Sequence, residues 1–189
     1  MEFTKEIDEY VVLKLDLDKY IPTKRSLEED FYFLGDKLSK KNRKGEKRLL
    51  KSYFKNWASP YYGKLQGWRE DSPIYIMCRK RLVCGIYLCD QNEFGERTNW
   101  GQLHYAFMEP LFKGKGLYSI LFNEAVRRAR AWGLKGLILN SDRHMLPDLY
   151  IKWGAVPWKR IKKGNTTSTP LTLTKEIYNS IRNILKKVK

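Results

Sequence analysis

The sequence is short of the residues that hold metals and cross-link chains. It has two histidines, His104 and His144, and three cysteines, Cys78, Cys84 and Cys89, with no CxxC pair. That set offers no metal site. The odd number of cysteines, all in strand-like runs, reads as reduced, buried thiols of a cytoplasmic protein. No apolar run is long enough to span a membrane. The N-terminal MEFTKEIDEY lacks the basic-then-apolar build of a secretory signal. There is no internal repeat and no low-complexity linker. Acidic residues are scarce beside basic ones, 21 against 37, for a net charge of +16. Such a field favours polyanions or phosphorylated ligands, and it equally fits a solvated lysine-rich surface.

What is present is enough for a packed globule. The hydrophobic share is 42% and the aromatic share 14% over 189 residues, which fits one domain with a full core. YVVLKLDLD, 10 to 18, alternates as a strand. Ser26 to Glu29 matches a capping box, with Leu27, Phe31, Leu34 and Leu38 on one face of a helix stopped near Gly45. A second helix is expected from near Glu46, with Leu49, Leu50, Tyr53, Phe54 and Trp57 as its stripe. Residues 59 to 73 read as a loop. IYIMC and LVCGIYL form a hairpin across RKR. DQNEFGERTNW is a polar connection, and LHYAFM is a third strand in this run, closed by Pro110.

A helix over 116 to 132 follows, with Leu117, Leu121, Ala125, Ala129 and Trp132 inward and Gly133 as its stop. LKGLILNSD is a buried strand, MLPDLYIKWG a short helix ended by Gly154, and VPWKRIK and TPLTLT two more strands. The tail from 175 to 188 is amphipathic, with Ile177, Ile181, Ile184 and Val188 on one face. The expected architecture is α/β: a mixed, mostly antiparallel sheet with helices on both faces and an added C-terminal helix. The strands flanking the helix at 116 to 132 are expected to be parallel neighbours.

The stretch PLFKGKGLYSIL turns a strand into a helix through Gly114 and Gly116, with lysines before and between them. A helix start exposes unpaired N–H groups and partial positive charge. Glycine lets a phosphate approach the main chain, and lysine adds charge. The turn is therefore a candidate anion cradle as well as a tight corner.

FMEPLFKGKGLYSIL resembles the acetyl-CoA signature of the GCN5-related N-acetyltransferases (GNAT), Gln/Arg-x-x-Gly-x-Gly/Ala. Lys113 stands at the first position, Gly116 at the middle glycine, and Tyr118 at the last, where the family has Gly or Ala. LYIKWGA, 149 to 155, resembles the family's Leu-Tyr-x-Lys-x-Gly-Phe segment. Seven residues before its tyrosine the family commonly has Asn; here it is Arg143. The order of elements over 10 to 174 also resembles that fold, which implies a single domain over 1 to 189 with the C-terminal helix as an addition.

The resemblance implies acetyl transfer from acetyl-CoA to an amine. Ala106, Phe107 and Met108 would pair with the thioester arm through backbone groups, one N–H serving as oxyanion donor. Lys113, Gly114, Lys115, Gly116, Leu117 and Tyr118 would hold the pyrophosphate, with Arg143 nearby. Tyr150 would be the general acid toward the CoA sulfur. The strand position where many members carry a catalytic Glu is Gln102 here. His104, two residues on and on the same face, is the candidate base; Glu109 points to the opposite face by alternation, and a water chain would also serve. The basic runs and YYGKLQGW suit a small, anionic or nucleotide-linked acceptor. The alternative is a nucleic-acid-binding protein that modifies a base or only binds.

Overall fold

The structure, a computed structural model, describes residues 9–34, 38–53, 72–90, 99–141, 147–162 and 169–170. The proposed C-terminal helix, the loop over 59 to 71, and Arg143 lie outside them. The chain divides into two units, Pro22–Leu134 and Met1–Ile21 with Lys135–Lys189.

The first unit is built on a four-stranded antiparallel array. β2 (Phe31–Phe33) pairs with β3 (Ser72–Cys78), β3 with β4 (Arg81–Cys89), and β4 with β5 (Trp100–Met108). The β3–β4 hairpin turns through Arg79 and Lys80, both at positive φ, the backbone of a tight two-residue turn. Ile74 and Ile76 are fully buried on one face of β3, and Tyr75 and Met77 are buried on the other.

Each face has its helix. α1 (Lys40–Tyr53) lays Leu49 and Leu50 on Tyr75, Met77, Tyr87 and Phe107. α2 (Leu117–Ala131) packs against β3 and β4, which leaves it the Ile74–Ile76 face. It buries Leu117, Leu121, Ala125 and Ala129, as their spacing predicts, and Gly133 follows at φ 75°. Trp132 is only half-buried.

The second unit centres on β1 (Glu9–Asp16). It pairs antiparallel with β6 (Gly136–Ser141) on one side and with β7 (Val156–Lys162) on the other. β8 (Thr169–Pro170) edges β7. Val11, Val12, Leu13 and Leu15 are all buried, so β1 is covered on both faces. α3 (Pro147–Lys152) packs on β1 and β7.

Two expectations near the N-terminus fail together. No helix forms over 26 to 34: Ser26 and Glu29 are exposed, and the chain runs extended into β2. Phe31 sits opposite Cys78, and the Leu34 N–H donates to Tyr75. Edge pairing to β3 satisfies this backbone, and that tertiary demand overrides the local helix signal. The helix of this region instead starts at Lys40 and runs through Gly45, which is no stop. Asn42 holds the helix start in place: its Nδ2 donates to the Lys80 carbonyl, and its Oδ1 accepts from the Leu82 N–H.

Candidate active site

β5 carries a bulge. Gly85 is opposite Phe107 and Tyr87 is opposite His104, so Tyr105 and Ala106 together face the single residue Ile86. Tyr105 takes φ 50°, a left-handed conformation that costs a tyrosine about 1–2 kcal/mol. Bulges and such strain gather at functional sites because they re-aim side chains and free backbone groups. This bulge falls on the Ala106 to Met108 segment singled out for the thioester arm.

The bulge also corrects the facing of Glu109. With one extra residue in β5, His104 and Phe107 look to the same face as Tyr87 and Gly85. Glu109, two residues past Phe107, reaches the α1 side of the sheet, where both of its oxygens lie 3.1 Å from an Arg48 nitrogen. Arg81 reaches Glu109 Oε1 at 2.7 Å. Glu109 is therefore on His104's side of the sheet, tied to two arginines as a clamp between α1 and β4.

Below the bulge a row of aromatic rings leads into the core. The His104 and Tyr105 rings stack at 5.6 Å. Tyr105 meets Tyr87 edge-on at 6.4 Å, and Tyr87 meets Tyr75 in the same way. The Tyr75 and Tyr87 hydroxyls both donate to Oε1 of Glu46, a 7% exposed residue on α1. Burial, then the Glu46 hydrogen bond, pushes the Tyr75 phenol up; Tyr87 is raised too, first by burial. Both phenols therefore stay protonated donors at neutral pH. Gln102 is fully buried.

The turn into α2 has the geometry a phosphate needs. After Pro110–Phe112, Gly114 and Gly116 take φ 81° and 75°, and Gly116 caps α2. Space opens around Gly114: a Cβ there would meet nothing within 4 Å. The first turn of α2 holds no acidic residue. The Tyr118 ring lies along the helix beside Phe122, 6.2 Å between centroids. Lys115 leans aside, its ammonium 5.8 Å from the Phe112 ring and 6.0 Å from Phe31. It lines a cleft of about 420 Å³ with Glu28, Asp30, Arg79 and Arg81.

A cation that the motif does not contain takes the closer place. A Cβ on Gly116 would run into the Arg25 guanidinium. Arg25 is put there by a clip: Asn123 of α2 accepts from the Thr23 N–H at 3.2 Å and donates to the Thr23 carbonyl at 2.9 Å. Nothing in the linear sequence ties position 25 to position 116. Glu46 did carry a signal, as the one acid on the α1 stripe, one turn before Leu49 and Leu50.

In the other unit Tyr150 is 4% exposed on α3, with Trp153 at 6.0 Å. Gly154 takes φ 95°, and a Cβ there would strike the Lys19 carbonyl, so the glycine of LYIKWGA is required by the backbone. Cys84 and Cys89 are buried free thiols and Cys78 a half-buried one. Among the described residues no cluster of His, Cys, Asp and Glu could hold a metal, and no helix is long and apolar enough to cross a membrane.

The model of the acetyltransferase (GNAT) family matches residues 44–150, more than half of the chain. The chain belongs to the GNAT family. Its fold is the α/β, mostly antiparallel architecture of these acyltransferases. Among solved structures it is similar to a GCN5-related N-acetyltransferase from Sphaerobacter thermophilus, with a TM-score of 0.61 and 13% identity over 84% of this chain and 51% of that one. It is also similar to the GCN5-related glucosamine N-acetyltransferase region of a fungal multi-domain GH3 β-N-acetylglucosaminidase, with a TM-score of 0.59 and 17% identity over 82% of this chain and 20% of that one. A GNAT-family putative acetyltransferase from Novosphingobium aromaticivorans gives 0.54 and 16%, over 83% and 64%. The chain thus spans between a fifth and about two thirds of these proteins' lengths. At such identities the likeness is one of fold. No curated protein matches the sequence.

Proposed function

We propose that this chain is a single acyltransferase domain that moves an acetyl group from acetyl-CoA to the amine of a small anionic acceptor. One observation carries the reading. Within Pro22–Leu134, a bulged strand end at Tyr105–Ala106 runs directly into a glycine turn capped by Gly116 and overlain by Arg25.

Acetyl-CoA would supply the acetyl group as an activated thioester. The residues at the turn fit its pyrophosphate: open space at Gly114, first-turn N–H groups of α2, and positive charge from Lys113 and Arg25 with no acid to oppose it. Lys115 adds charge from the side, and Tyr118 contributes its backbone N–H while its ring lies along the helix. Ala106, Phe107 and Met108 orient the thioester arm by backbone hydrogen bonds, and a donor N–H to the thioester oxygen is worth a few kcal/mol. Tyr150 would donate a proton to the departing sulfur. His104, at the half-buried end of the ring row, would take the proton that the amine must lose before it attacks. Arg143 would add charge beside the turn.

The exposed side of α1 supports an anionic acceptor. Lys40, Lys41, Lys44, Lys47 and Lys51 are all exposed there, and the single acid of the helix, Glu46, is buried. The buried thiols fit a cytoplasmic setting. Release of free thiol from acetyl-CoA across a panel of primary amines tests the reading. Turnover should favour amines that carry a phosphate or carboxylate; no release with any amine would refute it.

The same cations favour one second reading, a nucleic-acid ligand. Arg79, Lys80 and Arg81 extend the α1 cations across the β3–β4 turn that Asn42 clips to the helix. Binding to a DNA or RNA duplex would weaken steeply with salt.

A further inference from the structure

Glu46 is the one acidic residue of α1 and faces the core with Leu49 and Leu50. A carboxylate taken out of water needs compensation, and an ion left without it is costly. The compensation in hand is partial. Oε1 accepts both the Tyr75 and the Tyr87 hydroxyls, which are themselves 3.3 Å apart. Both donors are neutral. Among the described residues, Oε2 has no hydrogen-bond donor and no cation stands within ion-pair distance. Arg43, one turn back, is exposed and acts on the Tyr75 phenol only through its field.

The surroundings suit a cation. Tyr75, Tyr87, Tyr105 and His104 form a continuous row of rings from the buried carboxylate to the half-buried bulge. Aromatic faces and edges around an acid are the recurring means of holding an alkylammonium group. The row ends at the strand bulge that the acetyl-transfer reading assigns to the thioester. It stands on the sheet face covered by α1, whose outer side carries the lysines.

We propose that Glu46, held by Tyr75 and Tyr87 at the foot of this aromatic row, is the binding point for the ammonium group of the acceptor. The acceptor is then a primary alkylamine whose anionic part lies toward the α1 lysines. This rests on the acetyltransferase reading for what happens to the amine, not for its binding. The proton that the ammonium must lose passes from nitrogen to Oε2, giving a neutral amine and a neutral carboxyl group. Oε1 keeps its two phenol donors throughout.

The test uses the full chain and two probes of equal shape, phenethylammonium and phenethyl alcohol, at matched ionic strength. The ammonium should raise the unfolding temperature of the wild type and the alcohol should not. Glu46→Gln should lose that difference while keeping the shift given by acetyl-CoA. Where an amine is turned over, its KM should rise about tenfold or more in Glu46→Gln. Equal effects of the two probes on the wild type would overturn the proposal, and so would an ammonium shift that persists in Glu46→Gln. If Glu46→Gln does not fold, the wild-type comparison decides alone. Loss of the acetyl-CoA shift in the wild type, with the ammonium effect intact, would instead sink the acetyl-transfer reading and leave the cation site standing.

Discussion

Arg25 occupies the space where a side chain on Gly116 would begin. A guanidinium therefore stands at the positive end of α2, where helix electrostatics alone would favour an acid. The Asn123–Thr23 clip holds it there. An anion at the turn would relieve the conflict. Arg25→Ala should leave stability within about 0.5 kcal/mol, since the side chain is exposed. It should weaken acetyl-CoA binding several-fold and make that binding less sensitive to salt. Calorimetric titration at two ionic strengths checks both expectations.

Gly85 lies under two rings. A Cβ there would come within 2.6 Å of Phe107 and 2.8 Å of Tyr75. Gly85→Ala must push these rings apart in a packed core, which costs about 1–3 kcal/mol. Denaturant unfolding should show a lower midpoint with an unchanged slope. An unchanged midpoint would mean that the ring contact is not as tight as the geometry requires.

How much of this could be read from the linear chain depended on whether the cause was local. The α2 stripe, its Gly133 stop, the β3–β4 hairpin and the strand–turn–helix at Gly116 are set by neighbours in sequence, and each was legible. The segment at 26 to 34 was not. Its Leu27, Phe31 and Leu34 fit a helix face, yet the open edge of β3 decides for a strand. The bulge at Tyr105 was hidden for the same reason, because an extra residue shows only against the partner strand. That hidden residue reversed the facing of Glu109. Arg25, brought to Gly116 by a clip to a residue 100 positions away from Thr23, left no local trace.

The core should fail in alkali through protected acids. Burial pushes the Cys84 thiol up to about 12 from an ordinary 9.0, and the Tyr75 and Tyr87 phenols rise above their usual 10.0. A raised folded-state pKa gives stability that is complete below the unfolded value and is lost as pH climbs through the folded one. Stability should therefore hold to about pH 9 and fall toward pH 12, each protected group contributing about 1.4 kcal/mol per pH unit. Cys84→Ala should flatten the first part of that fall. A wild-type curve flat to pH 11 would contradict the assignment.

Tyr150→Phe and His104→Ala separate chemistry from binding. Tyr150→Phe should lower turnover about tenfold to a thousandfold and leave acetyl-CoA binding intact, as loss of an acid does. A variant as fast as wild type would exclude the role. His104→Ala should remove the acidic limb of the pH–rate profile, since imidazole ordinarily titrates near 6.5. The same limb in both proteins would assign the proton to another group.

The central claim is that the turn at Gly114–Gly116 binds acetyl-CoA, and thermal unfolding of the full chain with this ligand tests it most directly. Saturation to a hundred times Kd adds about 2.7 kcal/mol of stability, or roughly 5–10 °C for a chain of this size. The wild type should gain that much. Gly116→Ala, which strains φ and displaces Arg25, should gain little. No shift of the wild type at millimolar acetyl-CoA would contradict the account.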